Sequence, residues 1–413
     1  MASPCFVMLG TYTDPSILPH EPRSAAQGEG IVVGRWRAST LERLHTAPAV
    51  NPAFMKCHPR LNVLYVLSEC IDTLGYLTAF ALDAATGALR ELGRLQMTGR
   101  SSCYVSFDRD ARYAVVTSYW DARVDVVALD EHTGAPLAVV GSHQQTRRDT
   151  WRQVVNREDH MANRQDGPHA HSAIFHPSYN WLFVPDLGDN GIHQYRYKDG
   201  RLTHEAFIPV APGDGPRHFV FHPTLPVAFS GCELKSQVQV FAFDASDPGA
   251  VRPRVSPIQR LSTLPGGWCG TNYVGEIKAD AEGRRVYVSN RGHDSIATFT
   301  IDAATGLLAR EGVDSTLGRC PRHFSLSPCG GYLVVGTQDS DAVRTFELCP
   351  ATGRPLRCVQ SLDVPCPSFV LFVTQPHPTP GSALTTGASE AREQARVPAQ
   401  PIRVASPVAV CAN

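Results

Sequence analysis

Residues Arg217 to Glu233 read RHFVFHPTLPVAFSGCE. The stretch holds an apolar strand (Phe219 to Phe221), a His222-Pro223 turn, a second apolar strand (Val227 to Phe229) and a polar end at Glu233. With His222 as anchor, the same layout recurs around His58, Asp108, His176, Asp280 and Ser327. Each anchor is followed by a turn and then an aliphatic or aromatic run: VLYV at 63–66, AVVT at 114–117, LFVP at 182–185, VYVS at 286–289 and LVVG at 333–336. The gaps between successive anchors are 50, 68, 46, 58 and 47 residues. Recurrence on that scale, with four short strands per unit, is the signature of an all-β propeller.

The rest of each unit follows. Twenty-two residues past the anchor, DEHTG opens at Asp130, DAATG at Asp302 and CPATG at Cys349, with Asp244 at the same offset; DAATG recurs at Asp83. Gly87, Gly134, Gly306 and Gly353 supply the positive φ that tight hairpins need. Between anchor and hairpin lies an alternating third strand, such as Ile296 to Ile301 or Val238 to Phe243. Residues 6–46 contain only three strands, and Pro367 to Val373 is a first strand with nothing after it. Joining the two gives a seventh blade, closes the ring and removes both exposed edges. The domain so defined is 1–374. Residues 375–413, rich in Pro, Ala, Thr, Ser and Gly, read as a disordered tail.

Composition excludes several classes. The 413 residues carry a formal net charge of −1, which gives no electrostatic case for nucleic acid or an anionic membrane. No window approaches the roughly 18 apolar residues of a membrane span. Phe6 to Leu9 reads as a strand rather than a signal peptide. The twelve cysteines are scattered without a CxxC pair, as buried reduced thiols of a cytoplasmic protein would be. GEGIVVG at 28–34 lacks the spacing and following helix of a dinucleotide loop. The one long interruption, polar residues 142–168 with Trp151, leads straight into PHAHS.

In a propeller, equivalent positions of different blades lie on one ring around the axis. Five residues before the anchor stand His171, Arg217 and Arg322, with Ala53, Cys103 and Gly275 in the other blades. Eleven residues after it stand Glu69, Tyr119, Leu187, Glu233, Arg291 and Gln338. If adjacent strands are antiparallel, both slots converge on one mouth of the channel, where charged groups would form a binding or catalytic site. Glu69, Tyr119 and Gln338 suit interblade pairing as well as they suit substrate. His58, His176 and His222 recur at the His-Pro turn and read as turn residues. His169 and His171 could share a strand face, but no third ligand stands at metal-binding spacing, so no metal is expected.

RQDGPHAHSAIFHP, GDGPRHFVFHP with CELKSQVQVF, YVSNRGHDSIATF and CPRHFSLSP with GTQDSDAV resemble the lactonase family of seven-bladed propellers. That family includes propeller 6-phosphogluconolactonases and a muconate lactonizing enzyme. The resemblance runs from about Phe6 to Val373 and implies a cofactor-free site for a small, anionic lactone. The family's His, two Arg and Glu fall on His171, Arg217, Arg291 and Glu233. Lactone opening needs a proton acceptor, a proton donor and positive charge on the oxyanion. His171 fits as base or acid, Glu233 as its partner or as the base, and the arginines as anion ligands. Arg322, Glu69, Tyr119, Gln338 and His169 are assigned to substrate binding. Three readings remain: hydrolysis of a sugar-acid lactone such as 6-phosphogluconolactone, a muconate-type cycloisomerase, or a non-enzymatic scaffold. The WD dipeptide pattern of scaffold propellers is absent.

Overall fold

The computed structural model describes residues 5–146, 164–243 and 257–373. The described strands form seven antiparallel four-stranded sheets. One sheet joins Pro367–Val373 to Cys5–Thr11, Ile31–Arg37 and Thr40–Ala47, with Met8 opposite Leu371. The chain ends therefore share a blade, as the unpaired strand at 367–373 implies. Contacts between neighbouring blades run all the way round: Pro367–Val373 to Pro52–Cys57, Ser102–Phe107 and Ile174–Phe175, then through Trp181–Asp186 to Pro216–Phe221, Tyr273–Ala279, Pro321–Leu326 and back. Residues 374–413, which include the expected tail, and Asp244 lie outside the described residues.

Local chemistry explains why the repeat folds. At each His-Pro turn the histidine Nδ1 accepts two backbone N–H groups: from Arg60 and Leu61 at His58, from Ser178 and Tyr179 at His176, from Thr224 and Leu225 at His222. Asp280 Oδ1 accepts from Arg284 and Arg285, and Asp108 and Ser327 accept from Tyr113 and Tyr332. A short acceptor side chain at the anchor is what the turn requires. At the outer hairpins Asp83, Asp130 and Asp302 each accept the backbone N–H and hydroxyl of the Thr three residues on. The following glycines have φ of 72–77°. Gly87 also packs on Phe6 and Val33 of the preceding blade, and a Cβ there would come within 2.9 Å of the Phe6 ring.

Period-two alternation breaks at the entrance of the inner strands. Register slips between Pro52 and Phe54, Ser102 and Tyr104, Pro216 and His218, Val274 and Ile277, and Pro321 and His323. A bulge places an extra residue in one strand and re-aims its side chain. Here consecutive side chains turn to the axis: Ala53 with Phe54, Arg217 with His218 and Arg322 with His323 line one small void.

Candidate active site

The slots five before and eleven after the anchor meet at one mouth of the channel, because the strands that carry them pair antiparallel, Pro216 with Cys232 and Tyr273 with Arg291. A cavity of about 600 Å³ opens there. His171, Arg217, Glu233, Arg291, Arg322, Glu69, Tyr119 and Gln338 all line it. His169 does not. Its ring stacks behind Tyr119 at 4.6 Å, Nε2 lies 2.9 Å from Asp166 Oδ1 and Nδ1 lies 3.3 Å from the Tyr119 carbonyl. The shared-face argument for His169 and His171 needs a regular strand, and this segment makes only an isolated bridge, Ala170 to Asp186, before the strand starts at Ile174.

Glu233 is the centre of the wall. It is 1% exposed and faces three guanidinium groups: Arg217 Nε at 3.0 Å from Oε2, Arg291 Nη2 at 3.0 Å from Oε1 and Arg164 Nη2 at 2.5 Å from Oε1. Burial opposes its ionisation, but the three arginines outweigh burial and hold its carboxyl well below the usual range. Arg164 comes from the far end of the long insertion and also donates Nε to the Tyr119 hydroxyl at 3.0 Å. A polar loop without periodicity gave no register by which to place it. The insertion's opening residues continue the strand Pro136–Gln144, and Trp151 lies outside the described residues.

His171 stands beside this carboxylate, with Nε2 at 4.0 Å from Glu233 Oε2. Tyr119 and His218 meet its ring edge-on at 5.2 and 5.3 Å. Burial, then the charge of Arg217, pushes its pKa well below 6.5, and Glu233 only partly offsets them. The imidazole is therefore neutral, with a lone pair available. A second acid sits across the cavity. Glu69 accepts the Tyr12 hydroxyl at 2.6 Å and pairs with Arg322 at 3.3 Å. His20, from the segment between the first two N-terminal strands, leans on Tyr12 at 5.3 Å and lines the same cavity. It has no place in the repeat, so register could not find it.

Under the site the channel is sealed by a ring of six side chains. Phe369 meets Phe54 at 4.6 Å, Phe54 meets Tyr104 at 4.3 Å and Tyr104 meets His218 at 5.5 Å. His218 Nδ1 lies 3.0 Å from Glu276 Oε2, His323 Nε2 lies 3.1 Å from the same oxygen, and His323 stacks on Phe369 at 3.7 Å. His218, Glu276 and His323 follow directly after the entry slot, where strict alternation would turn them away from the axis. Among the described residues no three His, Cys, Asp or Glu side chains converge in a metal-holding arrangement.

Comparison with known proteins agrees with this fold. The family described as lactonase, 7-bladed beta-propeller, matches residues 6–372. The chain belongs to that family. It is 31% identical over 325 residues to a 6-phosphogluconolactonase of Bacillus subtilis, covering 79% of this chain and 88% of that one. A 6-phosphogluconolactonase of Formosa agariphila is 27% identical over 336 residues, 79% and 90% of the two chains. Among solved structures, the Pseudomonas aeruginosa periplasmic gluconolactonase PpgL superposes with a TM-score of 0.77 at 30% identity, covering 90% of this chain and 99% of that one.

Proposed function

We propose that this protein hydrolyses 6-phosphogluconolactone to 6-phosphogluconate in the cavity built around Glu233. The observation that carries the reading is the pairing of a neutral, buried histidine with a carboxylate neutralised by three arginines, at the wall of a cavity large enough for a phosphorylated sugar lactone. The names of its relatives point the same way.

The chemistry divides as follows. Water attacks the lactone carbonyl carbon and gives its proton to His171. The carbonyl oxygen becomes an oxyanion. Among the described residues Arg217 Nη2 and Arg291 Nη1 carry no hydrogen bond, so each arginine keeps a donor for that charge while another holds Glu233. Collapse of the tetrahedral intermediate breaks the bond to the ring oxygen, which takes the proton from His171. Glu233 stays ionised and stabilises the imidazolium that forms between the two transfers. This makes His171 the base and Glu233 its electrostatic partner, since a carboxylate held by three arginines is a weak base.

The phosphate has cations of its own. Arg23 and Arg319 line the outer cavity, and neither guanidinium pairs with a carboxylate among the described residues. Both are tied to one short turn: the Arg23 N–H donates to Asp339 Oδ1, and Arg319 Nη2 donates to the Asp339 carbonyl. A guanidinium suits phosphate through its planar fork of donors. The protein works in the cytoplasm: all eleven cysteines of the described residues are unpaired, which suits a reducing compartment. Among the described residues no helix is long and apolar enough to cross a membrane.

Kinetics with purified protein test the proposal. Hydrolysis of 6-phosphogluconolactone, followed against its spontaneous opening, should be catalysed, with kcat/KM at least about tenfold above that for unphosphorylated gluconolactone. Equal rates on both would remove the phosphate from the reading. No catalysis of either would overturn it.

A further inference from the structure

The ring that seals the channel contains a single charged group, and its hydrogen-bonding state is fixed from one side. His323 Nδ1 accepts the backbone N–H of Val370 at 3.2 Å, so its proton is on Nε2, which lies 3.1 Å from Glu276 Oε2. His218 Nδ1 approaches the same oxygen at 3.0 Å. Arg217 Nη1 lies 3.1 Å from His218 Nε2 and 3.3 Å from its Nδ1, close to both ring nitrogens, and the His171 ring stands at 5.3 Å. Arg217 Nη1 also donates to the carbonyl of Gly275, the residue before Glu276, at 2.7 Å. The chain of contacts thus runs from Glu276 through His218 to the two groups assigned to the oxyanion and to proton transfer.

The remaining charged and titratable neighbours of Glu276 are Lys278, with Nζ at 3.6 Å, and Tyr104 across the ring. Lys56 occupies the Lys278 slot three blades away, and the two lysines repel. Glu276 itself is buried. Nothing in the lactone chemistry above uses it.

We propose that Glu276 is the positioning residue of this site: its carboxylate holds His218 and, through His218, fixes the guanidinium of Arg217 against the substrate. The inference rests on the lactonase reading of the cavity. One carboxylate oxygen, Oε2, faces both His218 Nδ1 and His323 Nε2, and it brings a negative charge into a buried place beside them. The same charge favours the guanidinium of Arg217. A glutamine in its place keeps the size, and its amide oxygen can still face both nitrogens. What it removes is the charge that draws His218 and Arg217 together.

The test is Glu276→Gln, alone and in an Arg217→Ala background, with circular dichroism and thermal melts beside the kinetics. Alone, the substitution should lower kcat on 6-phosphogluconolactone by about tenfold or more, with KM within about threefold. Glu276→Asp, which keeps the charge and both acceptors, should recover part of the rate. In the Arg217→Ala background the extra loss from Glu276→Gln should shrink to about twofold, because its target is gone. A role in folding alone would leave the two losses multiplicative. Wild-type kcat in folded Glu276→Gln, or fully multiplicative losses, overturns the proposal. If Glu276→Gln gives no folded protein, His218→Gln takes its place in the same cycle, and an unchanged kcat there overturns it equally. A wild-type enzyme inactive on the lactone overturns the reading of the cavity itself, before any variant is compared.

Discussion

Replacing Arg217 with Ala perturbs the site in two ways that can be measured apart. The guanidinium has three ties: Glu233 at 3.0 Å, the Gly275 carbonyl at 2.7 Å and the His218 ring at 3.1 Å. Removing a charged donor that strengthens its hold on the oxyanion costs about 2–4 kcal/mol, or roughly 30- to 1,000-fold in kcat/KM. The second effect falls on His171. Arg217 is the largest charge that lowers its pKa, exceeded only by burial. Without it the imidazole protonates more easily, so the acidic limb of the kcat/KM profile should move to higher pH. Glu233 keeps Arg164 and Arg291, so the fold should survive. Arg217→Lys should recover little, because an ammonium lacks the planar fork. The assay is kcat/KM on 6-phosphogluconolactone from about pH 4 to 8, corrected for spontaneous opening. A folded variant within threefold of wild type, or a limb moving to lower pH, would refute the reasoning.

A chain that stops after Val373 should melt as the full-length protein does. One that stops after Cys366 loses a strand paired with Cys5–Thr11 and should aggregate or lose its cooperative transition; equal melting temperatures for the two would contradict the composite blade. Acid should destabilise the fold early. Burial pulls His218 and His323 from 6.5 to about 4, so the unfolded chain takes up protons first as pH falls. The stability that these neutral histidines contribute is complete above pH 6.5 and is lost between about 6.5 and 4, and a melting temperature flat from pH 7 to 5 would count against their burial. Activity should survive EDTA and phenanthroline, since no described cluster of side chains suits a metal; loss on chelation with recovery on zinc would reverse that.

The parts of this molecule that were legible in its sequence are those set by short-range chemistry. An anchor side chain that accepts the N–H groups of the next turn, and a Thr-Gly hairpin with positive φ, act within six residues of themselves, so they repeat visibly. Register then carries that repeat into space, which is why the repeat alone puts Arg217, Glu233 and Arg291 on one wall. The misses have physical causes. The entry bulge sets aside period two and turns His218, Glu276 and His323 inward. Arg164 reaches Glu233 from 69 residues away in sequence, out of a segment with no repeat to align. His20 lies in a connection that no other blade shares. His169 stays out of the cavity because its segment makes a single bridge and not a regular strand.

A crystal structure of the protein with 6-phosphogluconate bound tests the central claim most directly. The account predicts the product in the cavity beside Glu233, with its C1 carboxylate within hydrogen-bonding reach of Arg217, Arg291 and His171 and its phosphate outward, toward Arg23 and Arg319. Product bound with its carboxylate away from His171 and Arg217, or at the opposite end of the channel beyond the sealing ring, would contradict it.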